Sequence, residues 1–240
     1  MSSYESLAPF YDRLTCDVDY IGFADRYETA FLSDGGPFHL LLDLCCGTGS
    51  MSLEMSRRGY ELIAVDASED MLMEAREKCA SLPVPPLFLQ QDAAKLDLYG
   101  TVDAAFCSLE GINYLAPAQL TEMISRLRNF IRPHGLFLFD IRSPEYLKHI
   151  DGSTSIDEDE DVFCVWRADF DPEENALIYG MDLFSRKGKL WTRSREEHVE
   201  YAHSPAFLKS LFLQYGFEDF TVISADERLY IQVRRCEYSL

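Results

Sequence analysis

A strand that runs directly into a glycine turn limits the fold of this chain more than any other feature. Residues 39–44 (HLLLDL) form a nearly continuous apolar run, and CCGTGS follows at once. Such a run is typical of a parallel strand that is covered on both faces. Gly47 and Gly49 allow positive φ angles and leave bare backbone against which a ligand can lie. We therefore expect a ligand site at the carboxyl end of the first strand of an α/β sheet.

Strand-like and helix-like segments alternate between residues 39 and 142. The four further apolar runs are residues 61–65, 87–90, 102–107 and 136–141. Helix signals lie between them: Ser68 is a predicted N-cap, and Pro117 opens an apolar stripe with helical spacing that reaches Ile131. This alternation predicts an α/β fold with a doubly wound, mostly parallel sheet.

Residues 143–203, called the insert below, have a different pattern. The segments 162–170, 176–185 and 190–201 partly alternate polar and apolar residues, as antiparallel strands with one solvated face do. The acidic run 157–161 is expected to be a solvated loop. The sequence thus divides into residues 1–142 plus 204–240, which share one sheet, and a small antiparallel β insert at 143–203. The aromatic-rich first 33 residues are expected to form a helical cap.

The charge excludes several classes of partner. There are 22 Lys and Arg residues against 41 Asp and Glu, a formal net charge of −19. That balance argues against nucleic acids and anionic membrane surfaces, which both need basic patches. No apolar run is long enough to span a membrane, and the first residues lack a secretion signal, so a cytoplasmic location is expected. The seven cysteines form no CxxC pair and fit a reducing compartment, and we expect no metal site.

The residues around the glycine turn discriminate between two kinds of cofactor. A dinucleotide site requires GxGxxG, but the third glycine position is Ser52. Asp43 at the end of the first strand would repel a pyrophosphate and would suit a ligand with an ammonium group, such as S-adenosylmethionine. Asp66 ends the second strand, where an acid can accept hydrogen bonds from both ribose hydroxyls. An NAD-dependent oxidoreductase and a non-catalytic cofactor-binding protein stay as alternatives.

Several motifs resemble the class I S-adenosylmethionine-dependent methyltransferases. DLCCGTG followed by VDASEDML resembles their first two motifs, and QQDAAKL and DAAFCSLEGINYL resemble those of the third and fourth strands. The start, YESLAPFYDRL, and the segment TRSREEHVEYAHSPAFLKSLFLQYGFEDF resemble small cytosolic bacterial and archaeal members with an antiparallel lid insert. This resemblance, from about Tyr4 to the C-terminus, implies a Rossmann-like methyltransferase fold with seven strands and S-adenosyl-L-methionine as the cofactor.

The resemblance also implies individual contacts with the cofactor. Asp43 would hold the methionine ammonium, partly through water, Asp66 the ribose hydroxyls, and Asp92 the adenine amine. The other implied contacts are Gly47 and Gly49 beneath the methionine and ribose, Ala67 and Met71 at the adenine face, Ala93 near the adenine amine, and Cys107 and Ser108 beside the sulfonium. Cys45 also belongs to the turn, although the family more often has Gly or Ala there.

Methyl transfer from a sulfonium is an in-line displacement on an activated donor. The protein mainly aligns the groups and excludes water, and it needs a general base only if the acceptor arrives protonated. The candidates near the methyl group are Tyr11, Glu110, Asn113, Tyr114 and His198. Each has an alternative structural role in packing or capping. The expected acceptor is a small molecule under the insert, although a protein acceptor stays an alternative and the oligomeric state stays open.

Overall fold

The computed structural model describes Tyr4, residues 6–225 and residues 227–237. The helices are α1 (Tyr11–Leu14), α2 (Tyr20–Asp34), α3 (Ser50–Arg57), α4 (Glu69–Cys79), α5 (Pro117–Phe130), α6 (Pro144–His149) and α7 (Pro205–Gln214). The strands are β1 (Leu40–Leu44), β2 (Glu61–Asp66), β3 (Leu87–Gln90), β4 (Ala104–Cys107), β5 (Leu136–Arg142), β6 (Thr154–Asp159), β7 (Val162–Asp171), β8 (Ala176–Lys187), β9 (Leu190–Tyr201), β10 (Phe217–Ala225) and β11 (Arg228–Arg235). Short 3-10 turns lie at Ala8–Phe10, Ala93–Lys95 and Gly111–Tyr114.

The main sheet has seven strands in the order β10-β11-β5-β4-β1-β2-β3. Strands β1 to β5 pair in parallel, whereas β11 is antiparallel to both β5 and β10. The prediction of a doubly wound, mostly parallel sheet is therefore confirmed. The predicted fourth strand begins later than expected, at Ala104, because Val102 forms only an isolated bridge with Ile131.

Burial on both faces of the main sheet explains the continuous apolar run of β1. Leu42 and Leu44 are fully buried in a core that includes Leu120 of α5 and Leu208 of α7. Leu41, on the opposite face, is fully buried in a second core with side chains of α2 and α3. Since both faces are covered by helices, the strand is apolar in both side-chain directions except at Asp43.

The insert begins with α6 and continues as a four-stranded antiparallel sheet in the order β6-β7-β8-β9. The expectation of a solvated loop at 157–161 is wrong for its first three residues, which end strand β6 and pair with β7. This is an edge strand, so charged side chains can point to solvent while the backbone bonds to one neighbour, and charge on an edge discourages further pairing. Helix α6, capped by the Ser143 hydroxyl, was not predicted.

Tyr4 and residues 6–34, called the N-terminal cap below, join the two sheets. Leu7 is buried among Val162, Cys164, Met181 and Leu183 of the insert. Helix α2 instead packs against the main sheet, where Phe31 is buried. The first three residues and Glu5, which belong to the predicted cap, lie outside the described residues. Across the described part of the chain, no helix is both long and apolar enough to cross a membrane.

Candidate active site

A cavity of about 580 Å³ opens at the carboxyl ends of β1, β2 and β4 and is bounded on its other side by β9 of the insert. One wall is residues 45–48 of the glycine turn, and the N-terminal cap forms another. Its lining residues are Tyr4, Tyr11, Tyr20, Cys45, Cys46, Gly47, Thr48, Ser50, Met51, Val65, Asp66, Ala67, Ser68, Met71, Gln91, Asp92, Ala93, Ser108, Leu109, Gly111, Tyr114, Leu115, Gln119, Glu197, His198, Val199 and Tyr201.

The two glycines of the turn have different surroundings. Gly47 has a φ of 54° and lines the cavity, and a Cβ atom added there would meet no protein atom within 4 Å. Gly49 has a φ of 74°, and its added Cβ would lie 2.8 Å from the Cβ of Ala75 in α4. Gly49 is not among the residues that line the cavity, so the structure corrects the expectation that Gly49 lies beneath the cofactor. The close approach of two helices requires a glycine at this position.

Asp43 is fully buried behind the turn rather than in the cavity wall. Its Oδ2 accepts a hydrogen bond from the Ser52 hydroxyl at 2.6 Å, whereas Oδ1 has no protein partner. Burial raises the pKa of Asp43 to about 7. An orphaned buried carboxylate oxygen is costly, and it fits a cationic ligand group that reaches it through a water molecule. Ser52, at the position of the missing third glycine, is thus the partner of this carboxylate.

Asp66 lines the cavity and is fixed by the backbone around it. Its Oδ2 accepts from the Gly47 N–H at 2.8 Å, and its Oδ1 accepts from the Ser68 N–H at 2.9 Å. Burial raises the pKa of Asp66, although these N–H groups partly counteract the shift. The carboxylate is therefore held in one orientation at the cavity wall, and its remaining lone pairs can accept from a hydroxyl pair such as that of a ribose.

The far end of the cavity contains the residues expected near adenine. Ala67, Met71, Asp92 and Ala93 all line it. Asp92 caps a 3-10 turn through its Oδ1, which accepts from the Ala94 N–H at 2.9 Å. Ala67 and Met71 come after β2, and Asp92 and Ala93 come after β3, and the parallel pairing of these strands brings their carboxyl ends to one edge.

Cys107 does not line the cavity, which corrects the expectation that it lies beside the sulfonium. Its side chain is fully buried, and an added Cβ on Gly111 would lie only 2.6 Å from its Sγ. The last residue of β4 points its side chain into the core, so the next residue, Ser108, forms the wall instead. Cys45 does line the cavity, with a φ of 58° that is uncommon for a residue other than glycine.

Four aromatic residues, Tyr4, Tyr11, Tyr114 and His198, line one end of the cavity, which we call the acceptor end because the sequence predicts the methyl acceptor there. The Tyr4 ring stacks on the His198 ring with 4.3 Å between centroids. The centroid of the Tyr4 ring is 6.2 Å from that of Tyr11 and 6.2 Å from that of Tyr114. Burial raises the pKa of the Tyr11 and Tyr114 hydroxyls well above their ordinary value. Three of the predicted candidates therefore meet here, 
together with Tyr4, which the sequence reasoning missed.

Glu110 does not line the cavity, and the structure corrects its expected role as a base. Its carboxylate forms ion pairs with Arg228 and, at 3.2 Å, with Arg142. Burial alone would raise its pKa, but the two guanidinium groups hold the pKa of Glu110 below its ordinary value. A carboxylate stabilised in this way is a poor proton acceptor. Its backbone, with a φ of 51°, is held by Asp140, whose Oδ2 accepts the Glu110 N–H at 3.1 Å.

Asn113 is also structural. Its amide donates to the Tyr201 carbonyl of β9 at 2.9 Å, and its Oδ1 accepts from the Arg142 N–H at 3.0 Å. It therefore joins the insert to the main sheet. Tyr20, Gln119, Glu197 and Tyr201 also line the cavity, and the sequence pattern did not predict them as site residues. The aromatic spacing of the N-terminus was a usable signal for the tyrosines, but no sequence signal indicated which strand of the insert faces the cavity.

A doubly wound sheet with a glycine turn and acids at the ends of neighbouring strands defines a protein that binds a nucleoside cofactor. Residues 41–135 match a family model described as a methyltransferase domain. YqeM of Bacillus subtilis, whose name assigns it to the methyltransferases, is 28% identical over 97% of both chains. An S-adenosylmethionine-dependent methyltransferase of Clostridium acetobutylicum has a similar structure, with a TM-score of 0.85 and 26% identity over 97% of this chain and 99% of the other.

A solved structure with S-adenosylmethionine bound shares the fold as well. CalS10, an amino pentose methyltransferase from Micromonospora echinaspora, has a TM-score of 0.77 and 18% identity, over 98% of this chain and 99% of the other. The family-model match and these similarities together support the class I S-adenosylmethionine-dependent methyltransferase family for this chain. It is an enzyme that transfers a methyl group from S-adenosylmethionine. The alternative of an NAD-dependent oxidoreductase is therefore set aside.

Proposed function

We propose that this enzyme methylates a small molecule held in the cavity between the main sheet and β9. The observation that carries the proposal is the continuity of one cavity from the glycine turn to the acceptor end. A cavity of about 580 Å³ enclosed by the N-terminal cap and the insert suits a cofactor with a compact acceptor. CalS10 and KedS8 of Streptoalloteichus, a sugar N-methyltransferase with a TM-score of 0.79 and 20% identity over 98% of this chain and 97% of the other, act on sugars.

The residues that would hold the cofactor follow from the site. Asp66 would bind the ribose hydroxyls, Gly47 would provide bare backbone, and Asp92 with Met71 would surround the adenine. Asp43 would act on the methionine ammonium from behind the turn. When bound, S-adenosylmethionine supplies a methyl group that is already activated on a sulfonium.

The protein's part in the reaction is to align the acceptor and exclude water. Tyr11, Tyr114 and His198 would contact the acceptor, and the N-terminal cap would close the cavity over it. We also place the enzyme in the cytoplasm, because its seven cysteines are all free thiols, as is usual in a reducing compartment.

Calorimetric binding of S-adenosylhomocysteine tests the cofactor site. We expect micromolar binding, and we expect Asp66→Asn to weaken it by roughly 10- to 100-fold, because a hydrogen bond to a charged group contributes about 1.5–3 kcal/mol. Asp97→Asn, at an exposed acid outside the cavity lining, is the matched control and should bind normally. No binding at millimolar ligand, or equal effects of the two variants, would contradict the assignment.

A product-detected screen tests the acceptor class. Labelled S-adenosylmethionine is incubated with the enzyme and a pool of metabolites below about 1 kDa, and separately with a pool of proteins. We expect the label in the small-molecule pool. Transfer only to proteins would show that the acceptor end receives a side chain from another chain instead.

A further inference from the structure

The cavity wall carries negative side chains but no positive ones. Within the described lining, Asp66, Asp92 and Glu197 are acidic, and none of the residues is lysine or arginine. An acceptor with a carboxylate or phosphate group would normally be bound through a charged donor. The walls therefore disfavour an anionic acceptor.

Two arginines lie behind the acceptor end, and both are neutralised by carboxylates. Arg142 is paired with Glu110 and Glu200, at 3.2 Å in each case. Arg228 is paired with Glu110 and, at 2.7 Å, with Asp140. Three carboxylates face two guanidinium groups, so this buried group is negative by one charge when all of its members are ionised. It provides no free cation for an anionic acceptor and adds to the negative potential of the site.

Tyrosine rings surround the space that the acceptor would occupy. Tyr4, Tyr11 and Tyr114 all line the cavity, with centroid separations of 6.2 Å from Tyr4 to each of the others. The face of an aromatic ring attracts a cation that lies within about 6 Å of the centroid. Rings at these separations can contact one small cationic group together.

A proton acceptor lies beside these rings. His198 lines the cavity, and its Nε2 is 3.4 Å from Oε2 of Glu196. The Glu196 carboxylate accepts backbone N–H groups from Tyr4 at 2.8 Å and from Ser6 at 2.6 Å. Burial opposes its ionisation, but the adjacent His198 ring and the N–H groups of Ser6 and Tyr4 lower the pKa of Glu196 overall. An ionised carboxylate next to the imidazole stabilises the ring after it takes up a proton.

We propose that the acceptor is an amine, which the tyrosines and acids recognise as an ammonium ion and which His198 deprotonates. This inference rests on the proposed function. The ammonium proton moves to His198, and the freed nitrogen lone pair forms the new N–C bond. The C–S bond breaks and its electron pair stays on sulfur, so the sulfonium becomes a neutral thioether and the product is a methylated ammonium.

Matched fragments test the proposal without knowledge of the natural acceptor. Protein loaded with S-adenosylhomocysteine is titrated with 3-methylbutylamine, 3-methylbutanol and 3-methylbutanoate, and dissociation constants are measured by nuclear magnetic resonance. We expect the amine to bind at least tenfold more tightly than the carboxylate, with the alcohol between them. Equal or tighter binding of the carboxylate would overturn the proposal.

Two pairs of variants test which side chains cause the preference for the amine. Tyr114→Leu removes a ring and should weaken amine binding at least threefold, whereas Tyr114→Phe keeps the ring and should not. Glu197→Lys should remove the preference for the amine over the carboxylate, and Glu158→Lys, an exposed acid of the same insert, should retain it. If all four variants keep the parent preference, the proposed recognition is wrong.

The loading step separates this inference from the function on which it rests. If S-adenosylhomocysteine binds but no amine is preferred, the amine proposal alone fails. If S-adenosylhomocysteine does not bind at millimolar concentration, the cofactor assignment fails and the amine proposal falls with it. Labelled methyl transfer to the fragment amine, lost in His198→Ala while amine binding persists, is the result expected for the proton acceptor.

Discussion

Gly47 and Gly49 differ in what a methyl group would do at each position. At both positions, alanine would adopt a left-handed backbone at a cost of about 1–2 kcal/mol. Gly49→Ala also forces a contact at 2.8 Å with Ala75, which adds about 1–3 kcal/mol. We therefore expect Gly49→Ala to lower the unfolding free energy by roughly 2–5 kcal/mol in a urea titration, and Gly47→Ala by less.

The substitutions Gly47→Ala and Gly49→Ala are expected to have the opposite order of effect on ligand affinity. The new methyl group of Gly47→Ala meets no protein atom and stands at the cavity wall. We expect this variant to weaken S-adenosylhomocysteine binding by tenfold or more, while folded Gly49→Ala retains affinity within a few fold. Tighter binding by Gly47→Ala than by Gly49→Ala would refute the assignment of the two positions.

The buried carboxyl group of Asp43 is expected to release a proton when the cofactor binds. Its pKa of about 7 in the free protein results from burial, so the carboxyl is mostly protonated at pH 6. The ligand ammonium favours the ionised form and lowers this pKa, so binding should release about one proton at pH 6 and almost none above about pH 8. Affinity should correspondingly rise with pH up to about 7 and then level off.

Calorimetry in buffers of different ionisation enthalpy measures this release. Asp43→Asn keeps a partner for Ser52 but cannot lose a proton in this range. It should therefore lack this part of the release and most of the rise in affinity with pH. A release of the same size in the variant would assign the proton to another group.

Helix α1 connects the N-terminal cap to the glycine turn through a single side chain. Asp12 accepts the Thr48 hydroxyl at 2.6 Å and pairs with Lys78 of α4 at 2.6 Å. Since Asp12 is partly exposed, this contact contributes about 1 kcal/mol or less. We expect Asp12→Ala to weaken S-adenosylhomocysteine binding by up to roughly fivefold, through faster dissociation measured by stopped flow.

The neighbouring acid Asp17 provides the control. It is also exposed and does not line the cavity, so Asp17→Ala should dissociate at the parent rate. If Asp12→Ala and Asp17→Ala behave alike, α1 does not hold the cap closed. Helix α1 would then contribute only through Tyr11 and Leu14, which pack against the core of the insert, whereas α2 packs against the main sheet.

The main sheet and the insert are joined by a buried ion network. Arg142 at the end of β5 pairs with Glu110 and with Glu200 of β9. Removing the cation leaves the buried Glu200 without its ion-pair partner and Glu110 paired only with Arg228, and the loss of a buried ion pair typically costs about 3–5 kcal/mol. We expect Arg142→Met to lower the unfolding free energy by that amount at pH 8, and by less at pH 5, where the carboxylates can be protonated.

An exposed arginine provides the comparison for this loss. Arg57 is 58% exposed in its side chain and pairs only with Glu54 within its own helix among the ion pairs of the described residues. Arg57→Met should change the unfolding free energy by no more than about 0.5 kcal/mol at either pH. Denaturant titrations of both variants at the two pH values complete the test.

The sequence identified most cavity residues that lie at strand ends. Asp66 ends a strand that is readable as an apolar run, Gly47 and Asp92 closely follow such strands, and parallel pairing brings the carboxyl ends of these strands to one edge. The exceptions are Asp43 and Cys107, whose side chains are buried behind the wall, and Gly49, which packs against Ala75 of α4. A shift of one residue along the chain decides whether a side chain lies in the cavity wall or in the core. The apolar pattern of the sequence does not locate the end of a strand to within one residue.

The amino-acid order alone determined the parallel sheet, the glycine turn and the class of cofactor, because these depend on local periodicity and on residues a few positions apart. Only the tertiary structure decided the acceptor end. Tyr4, Tyr114 and His198 are far apart in the chain, and they meet because the cap and β9 pack over the sheet. It also decided that Glu110 serves in an ion network, since its arginine partners come from β5 and β11, and only folding brings those charges into contact.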